Sequence, residues 1–144
     1  MLSNTCKYAI RAVLYLAVNY EEGSKIGIKQ ISKELDIPTP FLGKILQTLA
    51  KHKILSSTKG PNGGFGLGKN KDNIMLMDIV EVIDGMDSFH KCIIGLKYCS
   101  EQENPCALHS RYAKLREQIR NIFEVETIGQ LALDMKSGKN QIII

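Results

Sequence analysis

Three cysteines and a histidine in the second half of the chain are the residues best suited to chemistry. Cys92, Cys99 and Cys106 are each separated by six residues, and two residues lie between Cys106 and His109. Three thiolates and one imidazole make a complete four-ligand set that suits zinc or an iron-sulfur cluster. Structural zinc sites usually have two to four residues between paired cysteines, so the wider gaps favour a larger cofactor. The ligand types alone leave both metals open.

Two other interpretations of these cysteines follow from the same residues. The thiols could serve as a metal-free thiol switch or lie in a partner-docking loop. A nucleophilic Cys106 assisted by His109 is a further possibility, but no third orienting group or oxyanion-hole motif accompanies the pair, so we do not predict an enzyme. Residues 1–20 lack the pattern of a secretory signal, and no apolar run reaches the roughly 18 residues that span a bilayer. We therefore expect a cytoplasmic protein with reduced cysteines and no membrane partner.

The elements around the cysteines are predicted from helix caps and apolar spacing. Met77–Asp84 indicates a short helix that Gly85 ends, and a loop of about twenty residues follows. Asn104 is suited to cap the next helix, with Pro105 at its first position. Cys106 and His109 would then share a face in the first turn, where the helix dipole favours a thiolate. The apolar stripe of this helix comprises Leu108, Tyr112, Leu115, Ile119, Ile122 and Phe123.

A long amphipathic helix without a partner in its own small domain predicts a homodimer. Thr127 is suited to begin a final short helix that runs through Leu133, and residues 137–144 are expected to form a loose tail.

The first half of the chain predicts a helix-turn-helix. Ser3 or Thr5 can cap a first helix that ends near residues 21–23. A second helix stops at residues 36–38, because Pro38 disfavours helical geometry in the residue before it. Thr39 is suited to cap a third helix. Its apolar face comprises Leu42, Ile45, Leu46 and Leu49, and its outward face comprises Lys44, Gln47, Thr48 and Lys51. In a helix-turn-helix such a polar, basic helix enters the major groove, whereas in a plain helical bundle it would only be solvated.

A β-hairpin after the third helix favours the DNA-binding interpretation. Residues 54–59 are β-prone, residues 60–64 are rich in turn residues, and residues 65–67 can return as a second strand. A basic hairpin in this place predicts the wing of a winged-helix domain, with Lys59, Asn62 and Lys69 near phosphates or the minor groove. The residues predicted to face DNA are Thr39, Lys44, Gln47, Thr48, Lys51, Lys59, Asn62 and Gly63.

The charge distribution agrees with a polyanion-binding first half. Residues 1–70 contain ten Lys and Arg against four Asp and Glu, a net charge of +6. Residues 71–144 contain nine against eleven, a net charge of −2. Phosphate neutralisation by basic side chains dominates the affinity of proteins for nucleic acids, so the basic half is the expected DNA-binding half.

Taken together, residues 7–12 (KYAIRA), residues 59–67 (KGPNGGFGL) and the Cys/His loop resemble the IscR-type family of regulators, the Rrf family, which includes NsrR and CymR. The resemblance covers about residues 1–133. It implies a mainly α fold with a small β-hairpin wing. The implied divisions are a winged helix-turn-helix domain at 1–84, a cysteine loop at 85–106, a dimerisation helix and short C-terminal helix at 107–136, and a tail at 137–144.

The same resemblance implies a function and a cofactor. The chain would be a homodimeric transcriptional regulator, expected to act as a repressor, that binds a palindromic operator in double-stranded DNA. Cys92, Cys99, Cys106 and His109 would ligate a [2Fe-2S] cluster that changes the affinity for DNA. Gly43 stands where the iron-sulfur regulator has a glutamate, so the operator sequence is expected to differ from those of relatives.

Overall fold

The computed structural model describes residues 1–97, 99–100 and 103–138, and consists mainly of helices with one β-hairpin. Two short 3₁₀ helices, at Lys71–Asn73 and Met86–Phe89, lie in the connections. The helices and strands are α1 (Asn4–Val18), α2 (Ile28–Leu35), α3 (Thr39–Lys51), β1 (Leu55–Thr58), β2 (Gly64–Leu67), α4 (Leu76–Ile83), α5 (His109–Val125) and α6 (Ile128–Lys136). The predicted mainly α fold with a small hairpin is confirmed. None of these helices is long and apolar enough to span a membrane.

The turn between α2 and α3 is tight because Asp36 adopts a left-handed conformation, with φ of 52°. Aspartate tolerates this region better than most residues. The backbone of Ile37 donates a hydrogen bond of 3.1 Å to the carbonyl of Ser32, and the Ser32 hydroxyl donates one of 2.6 Å to the carbonyl of Ile37. These bonds hold α3 at a fixed angle to α2, as a helix-turn-helix requires.

The predicted cap of α3 is wrong by one residue. Pro38 occupies the cap position, and Thr39 is the first residue of the helix. The Thr39 hydroxyl donates to the Ser32 hydroxyl at 3.0 Å, so it bonds to α2 rather than to a free amide of its own helix. Tertiary contact with α2 has replaced the local cap.

The hairpin is antiparallel, with Leu55 opposite Leu67 and Thr58 opposite Gly64. It is joined to the helical body by a bridge in which Ile26 and Phe65 exchange two backbone hydrogen bonds of 2.9 and 2.8 Å. A Cβ atom on Gly64 would lie 2.3 Å from the Ile26 carbonyl oxygen, so only glycine permits this close approach. The wing is therefore anchored to the body.

The main core forms around α1, whose alanine-rich inner face allows close helix packing. Ala9, Ala12 and Ala17 are completely buried there. Ile128 and Ala132 of α6 belong to the same core, so the C-terminal helix packs on the first half of the chain. A second, smaller core consists of Cys6, Met77, Val80 and Phe89, and α5 packs against it through Ile119 and Phe123. The domain boundaries drawn from the sequence remain a prediction.

The long helix begins later than predicted. Leu108 precedes it as the cap residue, and His109 is its first residue, so Asn104 is not the cap and Cys106 is not in the first turn. The Asn104 amide donates to the Ser100 hydroxyl at 3.3 Å, and the Asn104 carbonyl accepts from the Ser100 amide at 3.2 Å. The Cys106 amide donates to the Cys99 sulfur at 3.3 Å. The cysteine loop thus takes the backbone groups that a helix would have used.

The last helix agrees with its predicted start. The Thr127 hydroxyl caps α6 by accepting a hydrogen bond of 3.0 Å from the Gln130 amide. The helix extends to Lys136, three residues beyond the predicted Leu133. Residues 139–144 of the predicted tail lie outside the described residues.

Candidate functional site

The outward face of α3 is polar and basic, as the sequence predicts. Lys44, Gln47 and Lys51 are exposed, and Thr48 is half-buried. The Thr48 hydroxyl donates to the carbonyl of Lys44 at 2.8 Å, which orients it along the helix. Lysine ammonium groups suit phosphates, and glutamine suits the edge of an adenine. The face therefore has the groups that a DNA-reading helix needs.

The tip of the wing lies beyond the last strand pair and is exposed at Lys59 and Asn62. Gly63 has a structural role in the turn, because a Cβ atom at this position would lie 2.1 Å from the Thr58 carbonyl oxygen. Its amide donates to the Gly60 carbonyl at 2.9 Å and closes the turn. Lys59 and Asn62 are thus free to reach outward, while Gly63 shapes the turn that presents them.

Phe41 was not among the residues predicted to face DNA. It lies in the first turn of α3 and its side chain is 40% exposed. The sequence could have indicated its position, because Phe41 lies three residues before Lys44 and seven before Thr48. Residues three and seven apart share one side of a helix, so Phe41 belongs to the same outward face.

The cysteine loop brings the three predicted sulfur ligands together. The sulfurs of Cys92, Cys99 and Cys106 lie within 4.8 Å of one another. Cys92 Sγ and Cys106 Sγ are 3.7 Å apart, and all three cysteines are reduced. Each is half-buried, so the cluster is both sheltered and reachable. Cys92 and Cys106 are fourteen residues apart in the sequence, yet the three thiols meet in one place. A metal ion needs several ligand atoms brought together in this way.

His109 lies beside the three sulfurs, next to Cys99, and is not part of the group whose ligand atoms all lie within 4.8 Å of one another. Its Nδ1 lies 3.4 Å from Cys99 Sγ. Its Nε2 is buried and has no hydrogen-bond partner among the described residues. A buried polar nitrogen without a partner is costly, and a metal or cluster iron bound by this imidazole would remove that cost. The donor set and the orphaned nitrogen therefore fit a thiophilic metal group.

The sulfur atoms differ in acidity. Hydrogen bonds from the backbone of Leu96 and then Ile94, against a contribution from desolvation, lower the pKa of Cys92 to about 7. The backbone amide of Cys106 favours the thiolate of Cys99, but desolvation and the neighbouring thiols together raise the pKa of Cys99. The thiolate, the form that binds metals, therefore forms more readily at Cys92 than at Cys99.

Two contacts join the region around the cysteine loop to the helices. Phe89 packs on Phe123 of α5, with ring centroids 5.8 Å apart, and lies in the second core with Cys6 of α1. Asp84, at the end of α4, accepts a hydrogen bond of 2.8 Å from the Ser3 amide and another from the Ser3 hydroxyl. Ser3, Asp84 and Cys92 line one shallow cavity. A change at the cysteines thus has a short physical connection to the start of α1.

One side of α5 has no partner among the residues that the structure describes. Ile119 and Phe123 pack on the second core, but the adjacent side is open. Its exposed apolar side chains are Leu108 (41%), Leu115 (51%), Ile122 (52%) and Val125 (60%). The first three recur every seven residues, the spacing of a helix-pairing seam.

Comparison with known proteins identifies the family. The model of the Rrf2 family, described as iron-dependent transcriptional regulators, matches residues 2–134. The chain belongs to the Rrf2 family. It is 37% identical to a protein of Aquifex aeolicus described as an HTH-type transcriptional regulator, over 91% of this chain and 90% of that protein. It is 28% identical to IscR of Klebsiella pneumoniae, over 97% of this chain and 87% of that protein.

Solved structures of Rrf2 regulators have the same fold. CymR, the global cysteine regulator of B. subtilis, superimposes with a TM-score of 0.74 at 23% identity, covering 92% of this chain and 95% of that one. IscR of T. potens also superimposes with a TM-score of 0.74, at 20% identity, covering 99% and 93%. The predicted family is confirmed, and this Rrf2 chain is a transcription regulator rather than an enzyme.

Proposed function

We propose that this chain is a homodimeric repressor that binds a palindromic DNA operator and senses iron-sulfur, redox or nitric-oxide status through a [2Fe-2S] cluster. The cluster would be held by Cys92, Cys99, Cys106 and His109. The observation that carries the proposal is the convergence of three sulfurs within 4.8 Å beside an imidazole whose buried Nε2 has no partner among the described residues. Such a regulator would act in the cytoplasm, where the DNA is.

The DNA-binding part of the proposal rests on α3 and the wing. Lys44, Gln47 and Lys51 on α3 and Lys59 and Asn62 on the wing are exposed. A helix in the major groove and a wing against the neighbouring backbone would place these residues on bases and phosphates. Thr39, Thr48 and Gly63 would act mainly by setting the geometry of the helix and the turn, because each is held by a bond or a close contact within the protein.

The homodimer rests on α5. The seam of Leu108, Leu115 and Ile122 is exposed in the single chain and has the spacing of paired helices. A two-fold axis between two copies would pair the seams and present two α3 helices to the DNA. Two-fold symmetry of the protein implies a two-fold related operator, which is why a palindrome is proposed.

A mononuclear zinc site is a second candidate that the geometry specifically favours. For zinc-sulfur bonds of about 2.3 Å, two sulfurs on a tetrahedral ion are about 3.8 Å apart. The observed separation of 3.7 Å between Cys92 Sγ and Cys106 Sγ is close to this value. A metal-free thiol switch is supported by the pKa of about 7 at Cys92, since the thiolate is the form that oxidants attack.

Metal analysis of protein purified without oxygen tests these candidates. We expect about two iron and two sulfide per chain, a visible spectrum that is lost in His109→Ala, and operator affinity that changes when the cluster is removed. Cys6→Ala is the matched control, because Cys6 is a buried cysteine of the second core and its replacement should leave the spectrum intact. One zinc per chain without sulfide would replace the cluster by the zinc site. Protein that takes up neither metal would leave the thiol switch.

A further inference from the structure

Phe41 is an exposed aromatic ring on the helix proposed to enter the major groove. It is the third residue of α3, and its side chain is 40% exposed. The other large apolar side chains of this helix, Leu42, Ile45, Leu46 and Leu49, are all buried. Leaving a phenylalanine ring in water forgoes the free energy of its burial. The ring therefore stands out as an apolar group on an otherwise polar face.

The ring is held in place before any ligand arrives. Tyr8 of α1 packs against Phe41 edge to face, with centroids 5.8 Å apart and planes at 88°. The guanidinium of Arg11 lies 5.7 Å from the centroid of the Tyr8 ring and donates a hydrogen bond of 2.9 Å to the Leu35 carbonyl. Arg11 thus ties α1 to the end of α2, and Tyr8 supports Phe41 from that fixed base. A side chain that is already ordered loses little entropy on binding.

The major groove offers one apolar group that matches such a ring. Guanine, adenine and cytosine present hydrogen-bond acceptors and donors there, whereas thymine also presents its 5-methyl group. Lys44, next to Phe41 along the same side of α3, is exposed and suited to a nearby phosphate or guanine. A polar side chain in place of Phe41 would make no favourable contact with the thymine methyl group. The phenyl ring, in turn, cannot hydrogen-bond to the donors and acceptors of the bases.

We propose that Phe41 contacts the 5-methyl group of a thymine in each operator half-site and is a specificity-determining residue of this regulator. The proposal rests on the proposed DNA binding, and it adds one base to the operator, which the sequence left unknown. It predicts that the operator contains a thymine at a symmetric position near the N-terminal end of α3.

Substitution of thymine by deoxyuridine tests the contact, because this change removes only the methyl group. Operators are first selected from random duplex DNA with the full-length protein, and each thymine of one half-site is then replaced in turn. We expect one position at which wild-type affinity falls about fourfold, the effect of losing one buried carbon group. In Phe41→Ala, affinity for the thymine operator should fall, and the same replacement should have no further effect.

Two further variants separate this contact from general effects. Lys51→Ala removes an exposed charge of α3 and should weaken binding to thymine and deoxyuridine operators equally. Phe41→Leu retains an apolar group and should retain part of the sensitivity to the methyl group, which also answers the concern that Phe41→Ala alters folding. The proposal would be overturned if no replacement of thymine by deoxyuridine lowered the affinity of the wild type, or if Phe41→Ala showed the same loss as the wild type. Either result would leave the proposed DNA binding intact. Recovery of no DNA in the selection would overturn this proposal and the proposed function together.

Discussion

Replacement of Leu115 by alanine should raise the dissociation constant of the proposed homodimer by about 30-fold. Leu115 lies in the middle of α5 and is 51% exposed in the single chain. Complete burial of a leucine side chain contributes about 1.5–3 kcal/mol, so covering the exposed half contributes about 1 kcal/mol. A symmetric dimer buries the residue twice, which gives about 2 kcal/mol, and each 1.4 kcal/mol corresponds to a factor of ten in the dissociation constant.

Sedimentation equilibrium over a dilution series measures this constant directly. Glu117→Ala is the control, because Glu117 is exposed on α5 about 140° around the helix from Ile122 and away from the seam. Far-ultraviolet circular dichroism should show the same helix content for both variants and the wild type. A dissociation constant for Leu115→Ala within about threefold of that of Glu117→Ala would refute the α5 interface.

Three further predictions concern the cysteines and the wing. Alkylation of metal-free protein by iodoacetamide should be faster at Cys92 than at Cys99, and it should slow as the pH falls below about 7, because the lowered pKa of Cys92 keeps its thiolate populated above that value. Burial and then Asp84 raise the pKa of Cys6 to about 12, so Cys6 should react only on unfolding. Equal alkylation rates at these cysteines, measured by mass spectrometry, would contradict these directions. Gly64→Ala should lower the free energy of unfolding by about 3 kcal/mol in urea titration, since its Cβ would meet the Ile26 carbonyl oxygen at 2.3 Å and break the bridge to the wing. Lys59→Ala should weaken binding to every DNA sequence and lower the salt dependence by about one ion per contact, and an effect on a single sequence alone would argue against a phosphate contact.

The sequence predicted local elements well where local chemistry decided them. The ends of α2 and α4, the hairpin and the Thr127 cap follow from turn residues and hydrogen-bonding side chains that act over a few positions. The two predicted caps that failed, Thr39 and Asn104, both lie where a distant segment competes for the same groups. Ser32 bonds to the first, and Ser100 bonds to the second.

The candidate site shows the same division. The residue types of Cys92, Cys99, Cys106 and His109 predicted a soft-metal ligand set from the sequence, and their spacing left open whether they meet. The predicted reason for their proximity, a shared first helical turn for Cys106 and His109, was wrong, since the helix begins at His109. The loop folds back through the bond from the Cys106 amide to the Cys99 sulfur.

By itself the sequence determined the fold class, the family, the basic half and the set of candidate thiol and imidazole ligands, because these depend on composition, on apolar periodicity and on short motifs. Tertiary structure decided what depends on contacts between distant residues. It set the distances between the sulfurs, left His109 Nε2 buried and unpaired among the described residues, and exposed the seam of α5. The tertiary structure also packs Phe41 against Tyr8. Helix periodicity could not predict this contact, because it assigns a residue to a face of the helix but does not identify the neighbour that packs against it.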